Sequence, residues 1–421
     1  MTERTQSKIK FVGLHAHSVA GSIFDALGFP QEHMDFAYQN GMDALALTDH
    51  GNQNGLAYQV LHAKKMKAEG KDFKPIFGCE AYFIPSVDEW KEEYDQTMLD
   101  KKKARAAKKA GASGATVEDE GASKGKGNSV LRRRRHLVLL VQNQKGLNNL
   151  FKLVSESYKD ENFYRYPRMD YKMLKEHGEG IIASSACLGG VYAGNYWENR
   201  DESPEAVLEA MRETTRRMVD VFGDRWHGEI QWNNVPEQHE LNKFVIQVCE
   251  EFGVKVISTA DSHYPNRDAW KDRELYKRLG WLGKGKPQWA DTESDLPISV
   301  DEIGYELYPK NGDEMWESYK NYSQMCKTNY DDDLVLNSIE ETHRIAFDRI
   351  ENFLPDNTVR LPSFVVPAGN TATGALIKFS IEGLNKLGFA DNKIYLERLK
   401  HELNVIDDRG FSKYFLTMKA I

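Results

Sequence analysis

Four short apolar segments of this chain each end in side chains that bind metals: KFVGLHAHS in His15 and His17, ALALTDHG in Asp49 and His50, GIIASSACLGG in Cys187, and VISTADSHY in Asp261 and His263. Each is rich in β-branched or other apolar residues and gives way to Gly, Ser or Asp, as a strand does where it meets a turn. Side chains alternate faces along a strand, so His15 with His17, and Asp261 with His263, point the same way and can grip one ion. Bringing four such strand ends together requires a sheet whose ends converge on one side, as at the mouth of a barrel. A single HxH or DxH among twelve histidines would mean little, because a lone histidine is usually a surface or satisfied core residue. Its recurrence at strand ends is what points to one metal site.

Between these segments the pattern repeats. Seven strand candidates, KFVGLHAH, ALALTDH, KPIFGCEAYFI, HLVLLVQN, GIIASSAC, HGEIQWNN and KVISTADSHY, alternate with stretches of helical periodicity such as QKGLNNLFKLVSESYKD and SPEAVLEAMRETTRRMVDVFG. Repeated βα units predict a parallel, barrel-like sheet. The expected fold class is α/β, a distorted seven-stranded (β/α) barrel over residues 1–275 followed by a mixed α+β region over 276–421. At 421 residues and 40% hydrophobic content the chain can build two cores.

One connection breaks the rhythm. From 92 to 130 the sequence turns rich in Lys, Ala, Gly and Ser, too poor in large apolar side chains to order itself, and is expected to be a disordered, exposed basic insertion. Its KKKARAAKK block at 101–109, and the RRRR run at 132–135, stand out in a chain of net charge −8. Such runs usually serve solvation, with contact to a phosphate backbone the alternative.

Beyond 276 lie a helical stretch DLVLNSIEETHRIAFDRI, the segment LPSFVVP, and a last helix with Leu396, Leu399, Leu403 and Ile406 on one face, read as a core face. The sequence stops after the apolar run YFLTMKAI, so a piece of something longer is expected. Four scattered cysteines without a CxxC pair fit a reducing compartment. No apolar run has the length of a membrane span, and MTERTQSKIK has no signal-peptide core. A soluble cytoplasmic protein with no membrane partner is expected.

Three further residues sit where ligands would: Glu80 in PIFGCEAYF, His136 at the start of HLVLLVQN, and Asp25 after the first strand. A carboxylate such as Glu80 can bridge two ions, imidazoles and a thiolate suit zinc, and Asp25 or Asp261 suits a harder ion such as manganese. Plainer roles stay open at this point: Glu80 pairing with a lysine, Asp25 capping the next helix, Cys187 a small buried hydrophobe.

The series HAHS, TDHG, GCEAY, HLVLL, SSACLGG and ADSHY resembles, in order and spacing, the polymerase and histidinol phosphatase (PHP) domain of bacterial, family C, DNA polymerase III alpha subunits. LPSFVVP followed by RLKHELNVIDDRGFSKYFL is similar to the start of the palm in that family, so the resemblance covers nearly the whole chain. It implies three divalent metal ions, zinc or manganese or both. His15, His17 and Asp261 would hold one ion with Glu80 bridging; Glu80, His136 and Cys187 a second; Asp25, His50 and His263 a third. Asp49 would stand behind them. HSVAGSIFD carries one residue more than the family's usual spacing to that aspartate.

In relatives with a full ligand set this domain is a 3′ to 5′ proofreading exonuclease, a role in which Glu80, Asp261 and His263 would be catalytic. The implied partners are the DNA primer-template 3′ end, other replisome subunits, and the rest of the palm, thumb and fingers in the same or a second chain. The family's PGRGS segment and palm aspartates are missing here, so the chain is not expected to polymerise by itself. Two other readings are a free-standing phosphatase for a small phosphate ester and a noncatalytic platform stabilised by metals.

Overall fold

Apolar runs and helical repeats alternate in the computed structural model much as they do in the sequence. It describes residues 4–23, 25–109, 133–282, 300–356, 358, 364–366 and 368–420. In chain order the first half contains α1 (Pro30–Gln39), β1 (Ala44–Leu47), α2 (Leu56–Ala68), β2 (Lys74–Phe83), α3 (Val87–Lys109), β3 (Arg135–Val141), α4 (Gln144–Ser157), β4 (Phe163–Tyr164), β5 (Tyr166–Met169), α5 (Tyr171–His177) and β6 (Ile181–Ser184). There follow α6 (Val191–Asn199), α7 (Pro204–Phe222), β7 (Trp226–Gln231), α8 (Pro236–Phe252), β8 (Lys255–Thr259), α9 (Trp270–Leu282), α10 (Val300–Ile303), α11 (Gly312–Met325) and α12 (Asp332–Arg344). The last three helices are α13 (Ala372–Lys386), α14 (Lys393–Asp408) and α15 (Ser412–Ala420).

Around the sheet β1 pairs with β2, β2 with β3, β3 with β6, β6 with β7 and β7 with β8. The first segment bridges both remaining edges, Gly13 to Leu45 and Ala16 to Ser262, so the seven predicted strand segments form one curled ring. Alternation sorts its side chains. Val12, Leu14, Ala44, Ala46, Ile76, Val138, Leu140, Ile182 and Ile257 form one buried cluster, while their strand neighbours Leu45, Phe77, Cys79, Leu137, Leu139 and Ala183 join a larger one with α4, α7 and α8.

The sheet is not parallel throughout, as the βα rhythm led us to expect. β3 runs antiparallel to both β2 and β6. β2 leads into α3, and the chain re-enters the sheet beside the end of β2 that it left, pairing Arg135 with Phe83 and His136 with Tyr82. A return to the same end forces the antiparallel sense.

The predicted disordered insertion also needs correction. Residues 92–109 continue α3 as helix, and the remainder of the insertion to 130 lies outside the described residues. Low apolar content and high helix propensity coincide in KKKARAAKK, since Ala, Lys and Arg are strong helix formers. Packing of Val87 and Trp90, with Tyr94 against them, anchors the first turns. Asp170 accepts from the Val87 backbone N–H at 3.0 Å.

Two compact units divide the chain, Met1–Pro355 and Asp356–Ile421. The βα pattern stops near 275, yet α11 and α12 belong to the first unit: Met315, Tyr319, Val335 and Ile339 are buried in the larger cluster. Ser338 Oγ lies 2.7 Å from Ser258 Oγ on β8, and the Val12 N–H donates to Thr342 Oγ1 at 3.1 Å. In the second unit Leu403 and Ile406 of α14 pack against Leu376 and Leu416, whereas Leu396 of the predicted stripe is exposed. Among the described residues after 276 the elements are helical, and the strand-like LPSFVVP lies partly outside them. Also among the described residues, no helix is long and apolar enough to cross a membrane.

His227 on β7 is fully buried, its Nδ1–H donating to the Arg225 carbonyl at 3.1 Å. Burial, with the charge of Arg349 adding to it, lowers this imidazole to about 4. The unfolded chain therefore binds one more proton than the folded chain between that value and the ordinary histidine value, so stability falls as pH drops through this window. Going from pH 7 to pH 5, His227 is expected to cost about 2 kcal/mol. Denaturant midpoints of the wild type and His227→Gln at the two pH values check this: the variant should lose correspondingly less on acidification.

Candidate metal centre

The ring geometry brings every predicted ligand to one end. Ile76, Gly78, Glu80 and Tyr82 share the inward face of β2, and the antiparallel course of β3 carries His136, at its start, to the same mouth. In a parallel strand that position would lie at the far end. Asp261, beyond β8, is itself left-handed at φ +48°, and Cys187 follows another such residue, Ala186, φ +60°. Such conformations cost free energy outside glycine and concentrate where a side chain must be aimed.

Glu80, with no exposure, stands at the centre. Its Oε1 is 3.2 Å from His15 Nε2, 3.0 Å from His136 Nδ1 and 3.9 Å from Cys187 Sγ. Its Oε2 is 2.5 Å from His50 Nδ1 and 3.7 Å from His17 Nε2. Asp261 Oδ1 receives both members of the HxH pair, His15 Nε2 at 3.2 Å and His17 Nε2 at 3.1 Å, so the pair converges as its spacing predicts. Asp25 Oδ2 lies 2.9 Å from His50 Nε2 and 3.4 Å from His263 Nε2, reaching the cluster despite its longer spacing. His263 thus splits from Asp261, keeping 3.5 Å to it through Nδ1 while Nε2 faces Asp25. Cys187 Sγ is 3.6 Å from His136 Nδ1.

Two of the plainer roles fail on contacts. Glu80 faces imidazoles and not a lysine, and the residue at the α1 N-cap is Phe29 and not Asp25. Asp49 turns away from the centre. Its carboxylate accepts from the Ser18 N–H at 2.6 Å, Ser18 Oγ at 2.9 Å and Ser22 Oγ at 2.9 Å, clamping the turn that follows the HxH pair.

Whether the donor set fits cations can be read from its orphaned atoms. His15 Nε2, His17 Nε2, His50 Nδ1, Glu80 Oε2 and Asp261 Oδ1 are buried and lack a hydrogen bond of acceptable geometry, although they face one another. Ligand atoms lie within 4.8 Å of one another in three triads: His15, His17 and Glu80; His50, Glu80 and His136; His17, His50 and His263. Buried polar groups are normally satisfied, and a cation would satisfy these together.

Charge in the cluster is correspondingly displaced. Burial opposes the ionised forms of Glu80, Asp261 and Asp25, but the surrounding imidazoles hold all three carboxyls below their ordinary range. Burial likewise opposes a proton on His50, yet Glu80 and Asp25 raise it to about 10. His17 is pushed down to about 3 by burial and then by His50 and His263. Burial, then Asp261 and Glu80, push the Cys187 thiol well up. Cation binding would therefore release protons, from the thiol and from His50, and tighten as pH rises.

Two residues escaped the sequence reading. Glu229 on β7, buried, takes His15 Nδ1 at 2.7 Å and accepts from Ser184 Oγ and Thr259 Oγ1, both at 2.6 Å. Its signal was a lone charge inside the strand HGEIQ. Arg273 on α9 donates to the Asp25 carbonyl at 2.7 Å and to its Oδ1 at 2.8 Å. No spacing relative to the ligands announces it.

The family model described as PHP domain matches residues 13–233. The chain is 32% identical over 413 residues to DNA polymerase III subunit alpha of Aquifex aeolicus, covering 97% of this chain and 31% of that protein. The same subunit of Borreliella burgdorferi is 28% identical, over 97% of this chain and 30% of that one. That of Thermus aquaticus is 28% identical, over 90% and 26%. The chain therefore spans less than a third of the length of each of these relatives. A solved amidohydrolase from Chromobacterium violaceum is similar at 16% identity and a TM-score of 0.30, over 63% of this chain and 96% of that one, too distant to bear on the site.

Glu229→Gln keeps the shape but removes the anion behind His15. Partners of this kind typically carry about 10- to 100-fold in metal affinity. A loss of that size, read by zinc or manganese titration with the circular dichroism spectrum unchanged, is the expected outcome.

Proposed function

The chain belongs to the PHP domain family, and from that premise we propose that it is the N-terminal part of a replicative DNA polymerase III alpha subunit whose PHP domain is a metal-dependent 3′ to 5′ proofreading exonuclease. The observation that carries this reading is the convergence of nine predicted ligands, Glu80 among them, at one centre, with five buried ligand atoms lacking a hydrogen bond. A chain matched over 97% of its length by DNA polymerase III alpha relatives, its tail included, supports this over a free-standing phosphatase.

His15, His17 and Asp261 would hold one ion with Glu80 bridging, Glu80, His136 and Cys187 a second, and Asp25, His50 and His263 a third. Zinc suits the imidazole and thiolate set, and manganese the sites richer in carboxylate. Divalent ions held there supply Lewis acidity toward a phosphodiester and lower the pKa of an attacking water. The chain's own contribution is placement. Glu229 fixes the His15 ring, Asp49 fixes the turn after the HxH pair, and Arg273 holds Asp25 in position. The partners proposed are the primer-template 3′ end, other replisome subunits, and the rest of palm, thumb and fingers in the same or a second chain. Residues 276–421 are proposed as the start of the palm region, and the cytoplasm as the compartment.

Elemental analysis of the purified chain is expected to find three divalent ions, and primer-template DNA should be digested from its 3′ end in a chelator-sensitive manner. Asp261→Asn and Glu80→Gln should each reduce digestion to background while the far-ultraviolet dichroism stays native. Digestion surviving in both variants would assign the activity elsewhere.

A further inference from the structure

The basic run at 132–135 has no part in the ligand set, yet its described side chains divide where the chain enters β3. Arg133 and Arg135 face away from the mouth, paired with Glu93 on α3 at 3.1 Å and with Glu198 on α6. Arg134, two residues before His136, shares the mouth-facing side. Its guanidinium carbon lies 4.0 Å from the Tyr166 ring centroid and 5.5 Å from that of Tyr82.

Tyr82 continues this stack to the ligands themselves. It shares the inward face of β2 with Glu80, pairs across the ladder with His136, and its ring lies 5.6 Å from His136 and 6.1 Å from His50, with its plane nearly parallel to the latter at 13°. Tyr166 meets Tyr82 edge-on at 5.0 Å. Gly51 permits the approach: at φ +65°, an added Cβ there would lie 2.9 Å from Pro167 and 3.0 Å from the Tyr82 ring. All three stacking side chains are half-buried, leaving part of each to solvent beside the centre.

We propose that Arg134, backed by Tyr166 and Tyr82, is a nucleobase subsite: it stacks the base of the nucleotide whose phosphate occupies the centre, and so positions that phosphate. This rests on the phosphodiesterase reading of the same site. A planar guanidinium supported by aromatic rings stacks bases of any identity, which suits an enzyme that removes whichever nucleotide stands at the end. The hydrated point charge of a lysine would attract the phosphate but not stack.

Calorimetric titration of the manganese-loaded chain with thymidine 5′-monophosphate and with base-free deoxyribose 5-phosphate separates the contributions. The expected preference for the base-bearing ligand is about tenfold. Arg134→Lys and Tyr166→Ala should each remove that preference while affinity for the base-free phosphate stays near wild type, and Tyr166→Phe should retain it. Equal binding of both ligands by the wild type, a preference surviving in Arg134→Lys and Tyr166→Ala, or equal loss for both ligands in those variants would overturn the subsite. A base preference in a chain that does not digest DNA ends would sustain the subsite and refute the exonuclease.

Discussion

A carboxylate sealed from water is the constraint around which this barrel is organised. An isolated anion at the position of Glu80 would cost many kcal/mol, so the fold must bring compensating groups to it from every side. His15 and His17 arrive on the first segment, His50 beyond β1 and His136 on β3, each through a ring nitrogen. Those rings in turn need their far sides held, which Glu229 and Asp25 do for His15 and His50. The polar centre is thus layered, and the hydrophobic barrel beneath it, built from Leu14, Ala46, Val138 and Ile257, sets the distances between the layers.

The reversed strand shows how a small topological change serves chemistry. With β3 parallel to its neighbours, residue 136 would sit at the closed end among apolar side chains. Running antiparallel, β3 begins at the mouth, so the chain entering it supplies both a ring beside Glu80 and, two residues earlier and just before the strand, a guanidinium over Tyr166. The cost is a long connection through α3 and beyond.

Much of this was legible in the residues because strands and ligands leave periodic marks. The seven strand segments showed as apolar runs, and the HxH pair announced its convergence through the two-residue repeat. Strand direction was not legible, since alternation reads the same in either sense; the return of the chain beside Phe83 decided it. KKKARAAKK was ambiguous because a lack of apolar bulk and a wealth of helix formers are the same letters, and Trp90 at the other end of the helix settled the matter. Glu229 and Arg273 were invisible as partners because neither has a fixed offset from the residue it supports.

The closure of the ring carries a consequence for how the protein is made. Its last seam joins Ala16 to Ser262, with His17 N–H donating to the Ser262 carbonyl at 2.7 Å. Contacts so distant in sequence form slowly, because chain entropy is lost before they return anything. On a ribosome adding roughly 5 to 20 residues each second, the HxH segment waits on the order of ten to fifty seconds for its partner strand to emerge. Through that interval the nascent barrel is an open sheet with an unpaired edge, and its imidazole, carboxylate and thiol ligands are exposed to whatever ions the surroundings offer before the final geometry can choose among them.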